Sequence, residues 1–135
     1  MKIIRGRAPD AVTQHSQDTF TGLVWRDPVL PATDGVMINN VFFAPGARTN
    51  WHRHERGQVL HVTAGDGRIC TEGERPRRLG AGDTVWVPPG ETHWHGAGKD
   101  GYLLHLAVSL GKTDWDRPVS DDEYNEYDED EADGE

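Results

Sequence analysis

Two short stretches of the sequence carry paired histidines whose spacing suits the binding of a cation. His52 and His54 are separated by one residue, and in an extended chain alternate side chains point to the same face. The same period brings His93 and His95 to one face of a second stretch. Imidazole nitrogens suit Zn, Cu, Fe and Ni, and an added oxygen ligand with open coordination positions is typical of catalytic non-haem sites. If the two stretches converge, they form a site for a divalent metal ion.

Glycines and prolines at fixed distances from these histidines make the metal site more specific. Two hairpins that deliver ligands to one point inside a barrel need glycine where the backbone turns sharply. In both stretches the spacing resembles the two signature motifs of the cupin superfamily, with two departures: Gln58 replaces the usual glutamate, and Ala97 replaces a closing asparagine. The matching positions are Gly46, His52, His54, Gln58 and Gly65 in the first motif and Gly82, Pro88, Gly90 and His93 in the second.

The resemblance implies four metal ligands, His52, His54, Gln58 and His93. A glutamate in place of Gln58 would offset half the charge of a divalent ion, whereas the amide is neutral. Such a site keeps its full positive charge, which strengthens Lewis acidity and attracts an anionic ligand or leaving group. The alternative is that Gln58 only forms hydrogen bonds and the metal has three protein ligands.

A further histidine lies on the last strong strand pattern. Along residues 102–108, alternation places Leu103, His105 and Ala107 on one side, and if this side faces the barrel interior, His105 is buried near the metal. Histidine titrates nearest neutral pH, so His95 and His105 could act as general acid and base beside the metal. The alternative is a buried imidazole that is satisfied by hydrogen bonding.

Nearly the whole chain before the acidic end resembles the small bacterial single-domain cupins that include manganese-dependent hydroxynitrile lyases. The resemblance rests on segments such as Phe20-Thr21-Gly22, Thr92 to Ala97 and His105-Leu106-Ala107. It implies manganese as the metal, with Fe, Zn and Ni as alternatives, and His95 and His105 as catalytic residues. The implied small-molecule substrate is a cyanohydrin, which is cleaved to cyanide and an aldehyde.

Other functions use the same residues, and the sequence leaves them open. Fe(II) at the same histidines would give an oxygen-dependent dioxygenase. A non-catalytic barrel would sequester a small ligand or a metal. Isomerase or decarboxylase chemistry would use the electrophilic metal on other carbonyl substrates. The polar residues Asn39 and Ser109 in the expected pocket wall indicate a natural substrate that differs from those of the lyases.

The segments that must position these residues are predicted to be β-strands. The 24 glycines and prolines separate short segments rich in Val, Leu, Phe, Trp and Thr, which is typical of an all-β sandwich or barrel. We predict a cupin barrel, that is, a double-stranded β-helix or jelly roll, with a short helix possible between Asp114 and Tyr127. The predicted strands are Phe20 to Trp25, Val36 to Phe43, Gln58 to Thr63, Gly67 to Thr71, Thr84 to Val87, Thr92 to Gly96 and Tyr102 to Val108.

Charge divides the 135 residues into two parts. Residues 121–135 hold ten of the 23 acidic residues and no Lys or Arg. Residues 1–120 hold all 14 Lys and Arg with the other 13 acids, so this part is nearly neutral and has no basic face for nucleic acid. We predict one domain over residues 1–120 and a disordered acidic tail over residues 121–135, whose deletion should leave fold and metal content unchanged.

Location and partners are predicted from what the sequence contains. The basic N-terminus has no apolar stretch behind it, and no apolar run approaches the ~20 residues of a membrane span. We therefore expect a cytoplasmic protein that does not bind membranes, and the single Cys70 fits a reducing compartment. The apolar residues Val85, Trp86 and Val87 favour a homodimer or homotetramer.

Overall fold

The computed structural model describes residues 1–15 and 18–126. Most of these residues lie in strands, which confirms the predicted all-β class. No helix of this part of the chain is long and apolar enough to cross a membrane. The elements are β1 (Gln14–His15), β2 (Phe20–Thr21), β3 (Val24–Thr33), β4 (Val36–Phe43), β5 (Arg48–Thr49), β6 (His52–His54), β7 (Gln58–Thr71), β8 (Arg77–Gly80), β9 (Thr84–Val87), β10 (His93–Ala97), β11 (Leu103–Leu110), β12 (Thr113–Trp115) and α1 (Asp121–Tyr124).

The strands form one curled, antiparallel sheet whose main path runs β1-β3-β4-β11-β7-β10-β5-β2. Strand β7 connects the two halves, because its first part pairs with β11 and its second part with β10. Strands β6 and β12 extend the half that contains β10, since β6 pairs with both β10 and β12. The two histidine-bearing strands, β6 and β10, therefore lie side by side.

The core lies between the two halves of the sheet. Along β11 buried and half-buried residues alternate without a break, because successive side chains of a strand point to opposite faces. The inward face supplies Leu103, His105 and Ala107, as the alternation predicted. The buried apolar side chains that surround the histidines include Val24, Val41, Phe43, Leu60, Val62 and Val87.

The structure differs from the sequence prediction at Gly65. Two strands separated by a turn were predicted between Gln58 and Thr71, but β7 is continuous. At Gly65 the backbone has a φ of +80° and passes so close to Tyr102 that a Cβ would lie 2.1 Å from its carbonyl oxygen. The pairing with β11 changes register beside this glycine. Glycine here permits a bulge in the strand rather than a hairpin turn.

The C-terminal segment begins as part of the packing. Helix α1 has a capping box in which the Ser120 hydroxyl accepts from the Glu123 amide and the Glu123 carboxylate accepts from the Ser120 amide. Tyr124 is buried against a second cluster that contains Trp51, Trp94, Cys70 and Val119. The short C-terminal helix is confirmed, and the prediction of a solvated tail is corrected at Tyr124. Residues 127–135 lie outside the described residues, and the domain boundary at residue 120 stays a prediction.

Of the three residues predicted to favour an oligomer, one is strongly exposed. Val87 is buried and Val85 is half-buried, whereas Trp86 is 55% exposed. Strand β9 pairs with the start of β7, so that Trp86 lies opposite Val59. The homodimer or homotetramer stays a prediction.

Candidate metal centre

Strand register brings the two histidine stretches together. His52 on β6 is the direct partner of His93 on β10, and directly opposed residues of an antiparallel pair project to the same face. Alternation then adds His54 on β6 and His95 on β10. All four histidines are buried, with exposures of 1% to 3%. The pairing of β6 with β10 therefore brings the two histidine pairs together, as predicted.

The imidazole rings lie within the range of a shared ion. The ring centroids of His52 and His93 are 4.2 Å apart, and that of His54 is 5.0 Å from His52 and 5.6 Å from His93. One ligand atom each from His52, His93 and His95 can be chosen so that all three lie within 4.8 Å of one another. The cluster thus includes His95, which the sequence analysis assigned to catalysis.

The outer nitrogens of the histidines are held by neighbours. His52 Nδ1 lies 2.9 Å from the carbonyl oxygen of Asn50, and His93 Nδ1 lies 3.0 Å from that of Glu91. A carbonyl oxygen only accepts, so both Nδ1 atoms donate, and each Nε2 presents a lone pair to the interior. His54 Nδ1 lies 3.1 Å from the Thr113 hydroxyl. Hydrogen bonds of this kind orient histidine ligands around metals.

The inner atoms fit a metal ion. His54 Nε2 is buried and has no hydrogen-bond partner among the described residues. The Gln58 amide nitrogen donates to Ser109 Oγ at 3.2 Å, which places Gln58 Oε1 3.0 Å from His93 Nε2. His93 Nε2 and Gln58 Oε1 therefore present lone pairs to the same point. Neutral imidazole nitrogens and an amide oxygen gathered at one buried point are donors that divalent metals accept, so the residues present fit a divalent metal.

Burial keeps these histidines neutral. Desolvation, and then the charge of His93, lowers the pKa of His54 to about 4. Desolvation also lowers the pKa of His93 to about 4, against the opposing hydrogen bond to Glu91. The pKa of His52 is lowered well below its usual value, again chiefly by burial. Neutral imidazole is the form that binds metals.

A second pair of histidines adjoins the cluster. His105 Nε2 lies 3.0 Å from His95 Nδ1, a contact that crosses the interior from β11 to β10. His95 Nε2 and His105 Nδ1 are both buried without a hydrogen-bond partner among residues 1–15 and 18–126. Desolvation lowers the pKa of His105 to about 4 and holds the pKa of His95 well below its usual value. The two rings can exchange one proton between them.

His52, His54, His95 and His105 line a small, open pocket with a cavity volume of about 50 Å³. Its wall combines the polar residues Asn39 and Ser109 with apolar side chains such as Val41 and Phe43. This confirms that Asn39 and Ser109 belong to the wall.

Sequence reasoning missed three residues of the site. Trp115 on β12 stacks on His52 with a centroid distance of 4.6 Å, and Thr113 holds His54. Both lie opposite their histidines in the pairing of β12 with β6. The third, Arg26 on β3, lines the pocket. No spacing motif connects these positions to the histidines, so only the strand register reveals them.

The two other histidines of the sequence, His15 and His61, lie away from the site. His61 is exposed on the outer face of β7, where its Nδ1 lies 2.9 Å from the Thr84 hydroxyl. His15 is exposed on β1 and packs against Trp25 at 4.9 Å. His61 lies three residues after the inward-facing Gln58, and alternation along β7 therefore directs it to the outer face.

Comparisons with known proteins agree with this geometry. The model of the Cupin domain family matches residues 39–109, which include the paired histidines and His105. The chain is 45% identical to an (R)-mandelonitrile lyase from Granulicella tundricola over 113 residues, which cover 79% of this chain and 86% of that protein. It is 34% identical to the dimethylsulfoniopropionate lyase DddQ of Ruegeria pomeroyi over 62 residues, 46% of this chain and 31% of that protein.

A solved structure has the same fold over nearly its whole length. A cupin-like protein from Thermotoga maritima superposes with a TM-score of 0.81 and 37% identity, covering 89% of this chain and 98% of that one. The match extends over both halves of the sheet, not only over the histidine-bearing strands.

Proposed function

Because the chain belongs to the cupin domain family, we propose that it is a metal-dependent lyase that breaks a carbon–carbon bond at a hydroxyl-bearing carbon. A cyanohydrin is the proposed substrate class, and the mandelonitrile lyase relative supports this choice. The observation that carries the proposal is the position of the His95–His105 pair. It faces the same pocket as the neutral ligand set of His52, His54 and Gln58.

The proposed ligands are His52, His54, Gln58 and His93, and manganese is the proposed metal. When bound, a divalent ion at this site supplies Lewis acidity toward the oxygen of the substrate or toward the departing anion. Asn50, Glu91 and Thr113 keep the ligand rings in place through the Nδ1 bonds.

The two remaining histidines handle the proton. In the tautomer in which His95 Nδ1 donates to His105, His95 Nε2 presents a lone pair that can take the hydroxyl proton of the substrate. Loss of this proton turns the carbon–oxygen bond into a carbonyl, and the carbon–cyanide bond breaks with its electron pair on the cyanide. The proton then passes to the cyanide, so the products are an aldehyde and hydrogen cyanide.

Enclosure in the pocket supports this role for the pair. His105 is fully buried and contacts Phe43 at a centroid distance of 5.2 Å. Its low pKa keeps the ring neutral at neutral pH, so that its Nε2 can accept the hydrogen bond from His95 Nδ1. His105 acts through His95, so it serves to set the tautomer and to share the proton.

Metal analysis and turnover test the proposal together. Elemental analysis of the purified protein should find about one metal ion per chain, and His52→Ala should lose it. The metal-loaded protein should release benzaldehyde from mandelonitrile with and without oxygen. His95→Asn and His105→Asn should keep the metal and lose turnover by about 10²-fold or more.

Each alternative function has its own outcome in these assays. Loss of metal in His95→Asn would make His95 a ligand and contradict its role as base. Oxygen consumption with no anaerobic turnover would instead indicate a dioxygenase. The protein would be a binding protein if it bound metal but turned over no cyanohydrin. In that case His105→Asn should leave ligand binding unchanged.

A further inference from the structure

Arg26 faces the interior of the pocket from strand β3. In the pairing of β3 with β4, Arg26 lies opposite Val41, and in the pairing of β4 with β11, Val41 lies opposite His105. The three residues form one row across adjacent strands. Neighbouring strands are about 4.8 Å apart, so the backbones of Arg26 and His105 are about 10 Å apart. Both residues line the same pocket, so a molecule bound there can contact both side chains.

The guanidinium group of Arg26 has no acidic partner among the described residues. Its Nε is buried without a hydrogen-bond partner, and its terminal nitrogen makes a long bond of 3.4 Å to Gln14 Oε1. The adjacent carboxylate, on Asp27, points to the opposite face and accepts a hydrogen bond of 2.9 Å from Arg7. Burial lowers the pKa of Arg26 from its ordinary value, which is the effect of lost hydration without a compensating charge.

The rest of the pocket does not supply the missing negative charge. No Asp or Glu of the described residues lines it, and the four proposed metal ligands are neutral. A partly dehydrated guanidinium therefore shares the pocket with a site for a divalent cation. An anion is the ligand that such a pocket stabilises.

The shape of the arginine and the composition of the wall specify the anion. A guanidinium binds a carboxylate through two parallel hydrogen bonds. Phe20, whose ring lies 5.7 Å from the guanidinium carbon, and Val41, which lies opposite Arg26, make the wall beside Arg26 apolar. These groups suit the carbon skeleton of an organic acid.

We propose that the substrate of this pocket is an organic acid whose carboxylate binds Arg26 while its reacting carbon lies at the His95–His105 pair. The proposal extends the proposed lyase function and rests on it, because that function determines which part of the substrate reacts. It makes Arg26 a specificity-determining residue. It also accounts for an uncompensated arginine in a pocket otherwise lined by neutral side chains.

A pair of ligands that differ only in charge tests the proposal. Isothermal titration calorimetry on the metal-loaded protein would compare 4-formylbenzoate with its methyl ester. We expect the acid to bind at least about tenfold more tightly than the ester, because two charge-assisted hydrogen bonds are lost in the ester. In Arg26→Met the two ligands should bind equally. Arg26→Lys, which keeps the charge but not the paired donors, should retain part of the preference.

Arg78→Met is the matched control. Arg78 is exposed on β8 and does not line the pocket, so this variant removes the same charge from the protein and should keep the full preference. Equal binding of acid and ester to the unmodified protein would overturn the proposal. A preference that survives Arg26→Met and disappears when the metal is removed would also overturn it, because the carboxylate would then bind the metal.

Failure of the lyase proposal gives a different result. If the protein binds 4-formylbenzoate through Arg26 but cleaves neither mandelonitrile nor the cyanohydrin of 4-formylbenzoate, the anion site stands and the lyase function fails. If it cleaves mandelonitrile but shows no preference for the acid, the lyase function stands and the anion site fails.

Discussion

Removal of the Tyr124 side chain should destabilise the whole domain, although this residue lies in the acidic C-terminal segment. Tyr124 is 4% exposed. Its ring lies between two guanidinium groups, 4.6 Å from that of Arg48 and 4.4 Å from that of Arg68. Its hydroxyl donates a hydrogen bond of 2.6 Å to the carbonyl oxygen of Ala97 at the end of β10.

The contributions can be added to an order of magnitude. Burial of a large side chain contributes about 2 kcal/mol, each cation–π contact about 0.5 kcal/mol and the hydrogen bond about 1 kcal/mol. Tyr124→Ala should therefore lower the free energy of unfolding by about 4 kcal/mol, within the range for loss of a buried aromatic residue. For a domain of this size that corresponds to a fall in Tm of about 15 °C. Tyr124→Phe should cost only about 1 kcal/mol.

Thermal and urea unfolding, followed by circular dichroism, would measure these differences. The control is a chain that ends after Glu126, which keeps every contact that Tyr124 makes with the described residues and should match the full-length protein. A chain that ends after Ser120 should be destabilised as much as Tyr124→Ala or more. Equal stability of the two truncated chains would refute the reasoning and restore the prediction that residues 121–135 are dispensable.

Three further predictions concern the metal centre. His54→Ala should lower metal affinity by at least about tenfold, because it removes a ligand whose Nε2 has no other partner among the described residues. Elemental analysis after dialysis would measure the loss, and unchanged metal content would contradict the prediction. Gln58→Glu should bind the metal more tightly and turn over cyanohydrins more slowly, since a carboxylate offsets the charge of the ion. Faster turnover would contradict the idea that the neutral amide of Gln58 strengthens the Lewis acidity of the site. The metal-free protein should lose stability in acid, because the pKa of His93 and that of His105 fall from 6.5 in the unfolded chain to about 4 in the folded one. Stability is full above pH 6.5 and declines as the pH falls toward 4, by on the order of 2 kcal/mol for each histidine. Urea unfolding between pH 7 and 4.5 would test this, and His105→Phe should flatten the dependence.

Much of the site could be predicted from alternation alone. Residues two apart in a strand share a face, so the ligand pairs and the inward position of His105 follow from the sequence once strands are assumed. The bounds of β4, Val36–Phe43, and of β9, Thr84–Val87, were predicted correctly. Both segments have strong β-formers between clear turn residues.

The parts that could not be predicted depend on which strands become neighbours. Arg26 reaches the pocket only because β3 pairs with β4, and β3 contains Pro28 and Pro31, which argue against a long strand. The pairing of β3 with β4 is irregular near these prolines, with register shifts on both sides of Leu30. Pairing between segments far apart in sequence leaves no local pattern, so the contact of Thr113 with His54 was equally hidden.

Strand β10 explains why the C-terminal helix and the metal centre should respond to each other. Its residues from His93 to Ala97 are all buried, because its two faces are covered by different parts of the chain. His93 and His95 point inward to the cluster, while Trp94 points outward and packs on Tyr124 at a centroid distance of 5.7 Å. Removal of the Tyr124 side chain from the outer face of β10 weakens the packing of the strand that carries His93 and His95. Loss of Tyr124 should therefore increase the rate at which the metal dissociates, and a metal bound at the inner face should in turn raise the Tm of Tyr124→Ala.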